Sequence, residues 1–266
     1  MPFTFSHPAA SVPLARRGLV LSALVVGSMV PDLSYFFRWL PASHLSHTLS
    51  GVFLFCVPSG LVVLWLFHTL LKRPLLSLLP VSHQRRLLPL AGHFSFGPLR
   101  RFILIVVSLA VGALTHVAWD AFTHSHGWVV RHLFLLSWPL VETAQGTVRL
   151  YRVLQHVSTL VGAILLGCWY ARWFRRAPAG SVAGWMWFST TAKTGWVLSI
   201  GLGAAALAGV YGFLGIPSIL DFHSFRLFVG RAVVAGISIL FVEIVIFSAF
   251  WHVVELKRQS HVGQDP

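Results

Sequence analysis

Residues 100–127 read RRFILIVVSLAVGALTHVAWDAFTHSHG. Two arginines open the stretch, and Phe102–Trp119 then runs 18 residues without a charge. As an α-helix this run is about 27 Å long, close to the roughly 30 Å of a bilayer's hydrocarbon. At its far end His116, Asp120 and His124 stand four apart, so a helix places them on one stripe. The stretch therefore predicts a membrane-crossing helix that carries ligand-type side chains at one end.

The rest of the chain agrees with this reading. Of its 266 residues 56% are hydrophobic and 10% charged, and mean hydropathy is +0.77. A soluble domain carries about 25% charged residues, so a water-facing globule is excluded, and so is a disordered chain. Further apolar runs cover Leu49–Leu71, Val153–Tyr170, Trp196–Leu214 and Ala232–Trp251. The expected fold is all-α: a multi-pass transmembrane bundle of five full spans, forming a single integral-membrane domain over residues 1–266.

A sixth run, Gly18–Val30, has 13 residues and is too short to cross. It has two readings. Arg16-Arg17 before an apolar stretch fits a signal peptide, although no small-residue cleavage site follows. Alternatively, residues 7–15 and 18–32 form a short helical hairpin that turns at Arg16-Arg17-Gly18 and brings His7 and Asp32 to one side.

Net charge is +13, from 20 Lys and Arg against 7 Asp and Glu. The basic residues flank apolar runs, and no aromatic-basic module of the nucleic-acid binders is visible, so nucleic acid is not expected as a partner. Arg16, Arg17, the segments Lys72–Arg101 and Arg172–Lys193, and Lys257-Arg258 place 14 basic residues on one side. Arg38, Arg131, Arg149, Arg152, Arg226 and Arg231 leave 6 on the other. The positive-inside rule makes the first side cytoplasmic and turns residues 123–148 outward. Tryptophans at run ends, such as Trp39, Trp119 and Trp196, fit interfacial belts. Pro74–Pro98 reads as an amphipathic cytoplasmic segment. The small residues Gly201, Ala205 and Gly209 read as a helix-packing stripe.

Cys56 and Cys168 sit in apolar runs and support neither a disulfide framework nor a thiolate site. Acids are few, so Asp32, Asp120 and Glu243, in or beside apolar runs, carry information. Glu243 is expected to hydrogen-bond between helices. Histidines gather near the acids: Ser6-His7-Pro8, Ser46-His47-Thr48, the His116/Asp120/His124 stripe and Gln155-His156. The charge-derived topology sends all of these to the outward interface if the hairpin forms. Nitrogen and oxygen donors without cysteine suit Zn²⁺ first, with Mn²⁺ or Fe²⁺ as alternatives. The stripe of His116, Asp120 and His124 is expected to hold a metal, and His7, Asp32 and His47 are further candidate ligands, with plain interfacial polar residues as their alternative reading. Most other histidines, including His44, His68, His83, His93 and His252, read as interfacial polar residues.

The opening MPFTFSHPAA, with Gly27–Asp32, Ser46–Thr48 and Asp120–His124, is similar to an uncharacterised bacterial family of multi-pass membrane proteins. More distantly, the motif order resembles inner-membrane metal-dependent hydrolases, and also zinc-dependent phospholipase C and P1-type nucleases. That resemblance implies a bacterial inner-membrane location. It also implies that His7, Asp32, His47, His116 and Asp120 are ligands, with Asp120 shared by two metals. His124 or His126, then His156, would take the later positions. The pattern departs where Leu160 stands four residues after His156 in place of Glu. The implied function is metal-dependent hydrolysis of a phosphoester, lipid or lipid-linked. The contrasting reading is a non-catalytic membrane protein, either a metal or solute transporter or a scaffold. A transporter should carry polar residues at mid-membrane in several helices, whereas here Glu243 is the only acid near the middle of a run and the other candidates sit at run ends.

Overall fold

A computed structural model describes residues 4–37, 43–143, 146–182, 188–214, 216 and 221–262. Arg38 and Trp39 lie outside the described residues, as do the side chains of His44 and His261. The fold is all-α, 81% helical. Its main helices are α1 (Pro8–Ser11), α2 (Leu21–Gly27), α3 (Leu49–Leu78), α4 (Leu99–Thr123), α5 (Leu150–Arg176), α6 (Thr190–Phe213) and α7 (Phe222–Val262). Helices α3 to α7 are long and apolar enough to cross a membrane, which fits a multi-pass membrane protein. Each helix is longer than the apolar run inside it. At 1.5 Å per residue, the 24 residues of α6 extend about 36 Å. Basic pairs ride on the helix ends, with Arg100-Arg101 in the first turn of α4 and Arg175-Arg176 in the last of α5. There long stems can carry their charge to the headgroups.

The chain forms two compact units. The first comprises residues 1–34, 38–64 and 95–176. Here the N-terminus forms the hairpin. The chain leaves α1 through a 3₁₀ segment, Val12–Arg17, and turns at Gly18, whose φ of +85° is the left-handed conformation that glycine takes without a Cβ penalty. Helix α2 does not run on to Asp32 as expected. It stops at Gly27, and a 3₁₀ turn, Val30–Asp32, and a short helix, Leu33–Phe36, follow. The cause is Pro31, which lacks the N–H that a continuing helix would return to the carbonyl of Gly27.

Helix α2 lies against α4 at very short range. A Cβ at Gly27 would strike the Leu109 backbone, and one at Gly112 would strike the Leu24 carbonyl. The two glycines permit the approach, and Leu24, Ile105, Leu109 and Ala113 fill the core around it. Backbone polar groups in this setting need partners. The Val20 N–H at the start of α2 donates to Ser108 Oγ at 2.9 Å, and Ser11 Oγ donates to the Leu24 carbonyl at 3.3 Å. Trp119 Nε1 donates to Ser158 Oγ at 3.0 Å, which ties α4 to α5.

The stretch between these helices, read from sequence as a loop, holds a small antiparallel hairpin. Its strands are β1 (Pro139–Thr143) and β2 (Gly146–Arg149), with Val141 opposite Val148.

The second unit comprises residues 35–37, 65–94 and 177–266. Helices α6 and α7 pair through Ala204, Ala208 and Gly212, the last against Phe228 and Ala232. Trp196 stacks obliquely on Phe247. The expected stripe of Gly201, Ala205 and Gly209 does not make this contact. A Cβ at Gly201 or Gly209 would find nothing within 4 Å, and Ala205 is exposed. Among the described residues Glu243 is not the hydrogen-bonding partner expected, since its Oε2 is buried there without a hydrogen-bond partner and its carboxyl faces Gly203. His252 has a specific task. Pro74 in α3 has no N–H to return to the carbonyl of Leu70, and His252 Nε2 bonds that carbonyl at 3.0 Å.

Candidate metal centre

Four residues from three segments of the first unit meet at the end of α4. His116 and Asp120 come from α4, Asp32 from the 3₁₀ turn beyond α2, and His47 from the turn before α3. One donor atom from each of these four residues lies within 4.8 Å of all the others. His116 and Asp32 are buried, and His47 and Asp120 are partly exposed.

Hydrogen bonds behind the site orient these donors. His116 Nδ1 bonds the Ser28 carbonyl at 2.8 Å. A carbonyl only accepts, so Nδ1 carries a proton and Nε2 is turned forward, where the neutral ring offers a lone pair to a cation and the protonated ring an N–H to the acids. His47 is held in the same way. Ser46 Oγ donates to the Pro31 carbonyl at 2.7 Å, so at 3.0 Å it accepts from His47 Nδ1, which leaves Nε2 facing the acids. Thr4 Oγ1 donates to Asp32 Oδ2 at 2.6 Å and leaves Oδ1 for the site. Partners of this kind fix ring orientation in metal centres.

The donor separations can be compared with a metal polyhedron. Bonds of about 2.0–2.2 Å in a tetrahedron give edges of roughly 3.3–3.6 Å. His116 Nε2 lies 3.3 Å from Asp120 Oδ2 and 3.6 Å from Asp32 Oδ1. His47 Nε2 lies 3.4 Å from Asp120 Oδ2 and 3.5 Å from Asp32 Oδ1. These gaps are longer than good N–H···O bonds and match the edges of a cation site. Among the described residues His116 Nε2 and Asp120 Oδ1 are buried without a hydrogen-bond partner, a costly state that a cation would relieve. The four residues thus could hold a metal ion.

His7 and His124 stand on the other side of Asp120. Its Oδ1 is 3.3 Å from His124 Nδ1 and 3.7 Å from His7 Nε2. The His7 ring stacks on His116 with centroids 3.8 Å apart, and among the described residues neither of its nitrogens has a hydrogen-bond partner. Burial, reinforced by the neighbouring His116, pushes the His7 imidazole down to about 3, so it is neutral at neutral pH and its lone pair is available. Burial pushes the Asp32 carboxyl up, but the imidazoles of His116 and His47 and the Thr4 hydroxyl outweigh it and hold it well below the usual carboxylate range.

All six sequence-expected residues therefore gather in one place, four as a tight set and two beside Asp120. Of the later positions of the resemblance His124 joins them, and His126 and His156 do not. His156 is exposed on α5, and His126 is exposed, its ring 5.6 Å from that of His124. Helix α4 ends at Thr123, earlier than a stop at Gly127 would place it, and His124 is its C-cap. Sequence reasoning missed Thr4 and the carbonyls of Ser28 and Pro31. A threonine gives no sign of its partner 28 residues away, and a backbone carbonyl has no residue signature.

The family model for a domain of unknown function, DUF4184, matches residues 1–249, which include every residue of this centre. The chain belongs to the DUF4184 family. No curated protein and no solved structure matches it. This family description names no reaction, so the chemistry of the centre rests on its residues.

Proposed function

We propose that this DUF4184 protein is a membrane-embedded, divalent-metal-dependent hydrolase of phosphoesters, with a lipid or lipid-linked substrate. The observation that carries the reading is the set of four N···O separations, 3.3 to 3.6 Å, among His47, His116, Asp32 and Asp120. Zn²⁺ suits these donors first, and Mn²⁺ or Fe²⁺ next. A bound cation supplies Lewis acidity, polarising a phosphoryl oxygen and lowering the pKa of coordinated water toward about 7. The protein supplies position. Asp120 turns Oδ2 to His47 and His116 and Oδ1 to His7 and His124, so one carboxylate can serve two cations. His7, neutral and buried, would help hold the second. His47 and Asp120 keep the centre open to a substrate, while buried His116 and Asp32 close its back. Exposed Phe5, Leu45 and Leu49 flank the ligand segments in sequence and give an acyl chain an apolar approach.

The experiment is a phosphoester panel, including phosphatidic acid and lipid diphosphates, run with purified protein loaded with Zn²⁺ or Mn²⁺. Release of phosphate or of a phosphorylated headgroup that His116→Ala abolishes is the expected result. Metal bound with no member of the panel cleaved favours a transporter or sensor.

We place the centre on the outward side of a bacterial inner membrane, on the strength of the 14-to-6 asymmetry of basic residues. In a background without Cys56 and Cys168, a cysteine at Ser137 should label from outside and one at Ser82 should not. The reverse pattern would invert the topology.

A further inference from the structure

The second unit holds a cavity of about 350 Å³ that the metal centre does not use. Arg73, near the end of α3, lines it together with an apolar wall of Leu88, Pro89 and Ala91. Gly92, Gly180 and Ser181 complete the lining. Hydrogen bonds hold its rim: Lys72 Nζ donates to the Gly92 carbonyl at 2.7 Å, and the Gly180 N–H donates to the Arg85 carbonyl at 2.7 Å. Gly180 approaches so closely that a Cβ there would lie 3.2 Å from that carbonyl and from Pro89.

The two chain segments that line the cavity carry charge of one sign. Lys72–Arg101 contains six Lys and Arg, Arg172–Lys193 contains four, and neither contains an acid. Among the described residues Arg73 has neither a hydrogen-bond nor an ion-pair partner. An exposed guanidinium in a concavity, on segments that carry lysine and arginine and no acid, is suited to an anion. Its five N–H donors match a phosphate oxygen pair. The volume is in the range of small-ligand pockets and exceeds what a bare phosphate needs. The apolar wall suits a ligand with a carbon-rich side.

We propose that this cavity binds a phosphate-ester anion through Arg73, with an anionic phospholipid headgroup as the ligand. The phosphate lies on the guanidinium and the glycerol or acyl portion on Leu88, Pro89 and Ala91. Basic pockets at the border of spanning helices recognise lipid headgroups in this way. The proposal is independent of the metal centre and predicts lipid retention without turnover.

Native mass spectrometry of the full chain, released from nanodiscs of phosphatidylglycerol and phosphatidylcholine, tests it. One phosphatidylglycerol should be retained in preference to phosphatidylcholine. Arg73→Gln should weaken retention roughly tenfold or more, the worth of a charged hydrogen bond. Ser181→Phe, which fills the cavity and leaves every charge in place, should do the same. Arg172→Gln, an exposed charge of the same segment outside the lining, should retain the lipid. Soluble glycerol phosphate binding as tightly as the lipid would keep the phosphate site and make its source soluble. Equal losses in Arg73→Gln and Arg172→Gln, or retention in Ser181→Phe, would reduce the effect to diffuse surface charge and overturn the proposal.

Discussion

Asp120→Ala should leave the purified protein without bound cation, whereas wild type retains about one or two. Asp120 is the residue on which the histidines converge, with His47 and His116 at one oxygen and His7 and His124 at the other. Its loss removes a donor from both groups and leaves four imidazoles with Asp32 as the one remaining acid of the cluster. Removing a residue that only orients a ligand costs about 10–100-fold in metal affinity, so loss of a shared ligand should exceed that range. Alanine is the best helix former, so α4 should persist and circular dichroism should be unchanged. His126→Ala, exposed and outside the cluster, should keep the metal. Elemental analysis of wild type, Asp120→Ala and His126→Ala decides the matter. Wild-type protein that is free of metal and takes up neither Zn²⁺ nor Mn²⁺ would refute the centre.

Gly112→Val should have the second large effect, at a residue that touches no ligand. A Cβ at position 112 meets the Leu24 carbonyl and, at 2.8 Å, the Ser28 nitrogen. Both obstacles are backbone, so relief requires α2 to move away from α4. Overpacking a well-filled core costs about 1–3 kcal/mol, and this displacement also carries off the Ser28 carbonyl that holds His116. The expected outcome is a fall in unfolding temperature in detergent together with weaker metal retention. Gly201→Val, where nothing lies within 4 Å, should change neither. A Gly112→Val protein as stable and as metal-loaded as wild type would show that α2 can shift without cost, and the close packing would lose its assigned role.

Much of the site could be read from the chain alone because its signals are local. His116, Asp120 and His124 obey helix periodicity, so their common face follows from spacing. Asp32 and His47 stand out because a carboxylate or imidazole beside an apolar run is expensive unless something compensates it. His7 entered through the hairpin reading, and the left-handed turn at Gly18 supplies the geometry that reading required. The misreadings also have physical causes. Position in the chain could not reveal that His156 faces away from the cluster. Composition could not show which face of α6 meets α7, because small residues occupy both its buried and its exposed faces.

The sequence by itself determined the solvent and the scale. Apolar runs separated by basic segments require helices that satisfy their own backbone in hydrocarbon, and that requirement depends on composition and length, not on long-range contacts. It likewise determined which side chains were chemically capable of holding a cation. Tertiary structure alone decided which atoms of those side chains face one another. The Ser28 carbonyl on His116, the Ser46 hydroxyl on His47 and Thr4 on Asp32 select the ring nitrogen or carboxylate oxygen presented. Each is a contact at hydrogen-bond range, with a direction no residue type encodes. Such contacts exist only once Gly27 and Gly112 let two helices 85 residues apart in sequence pack backbone to backbone.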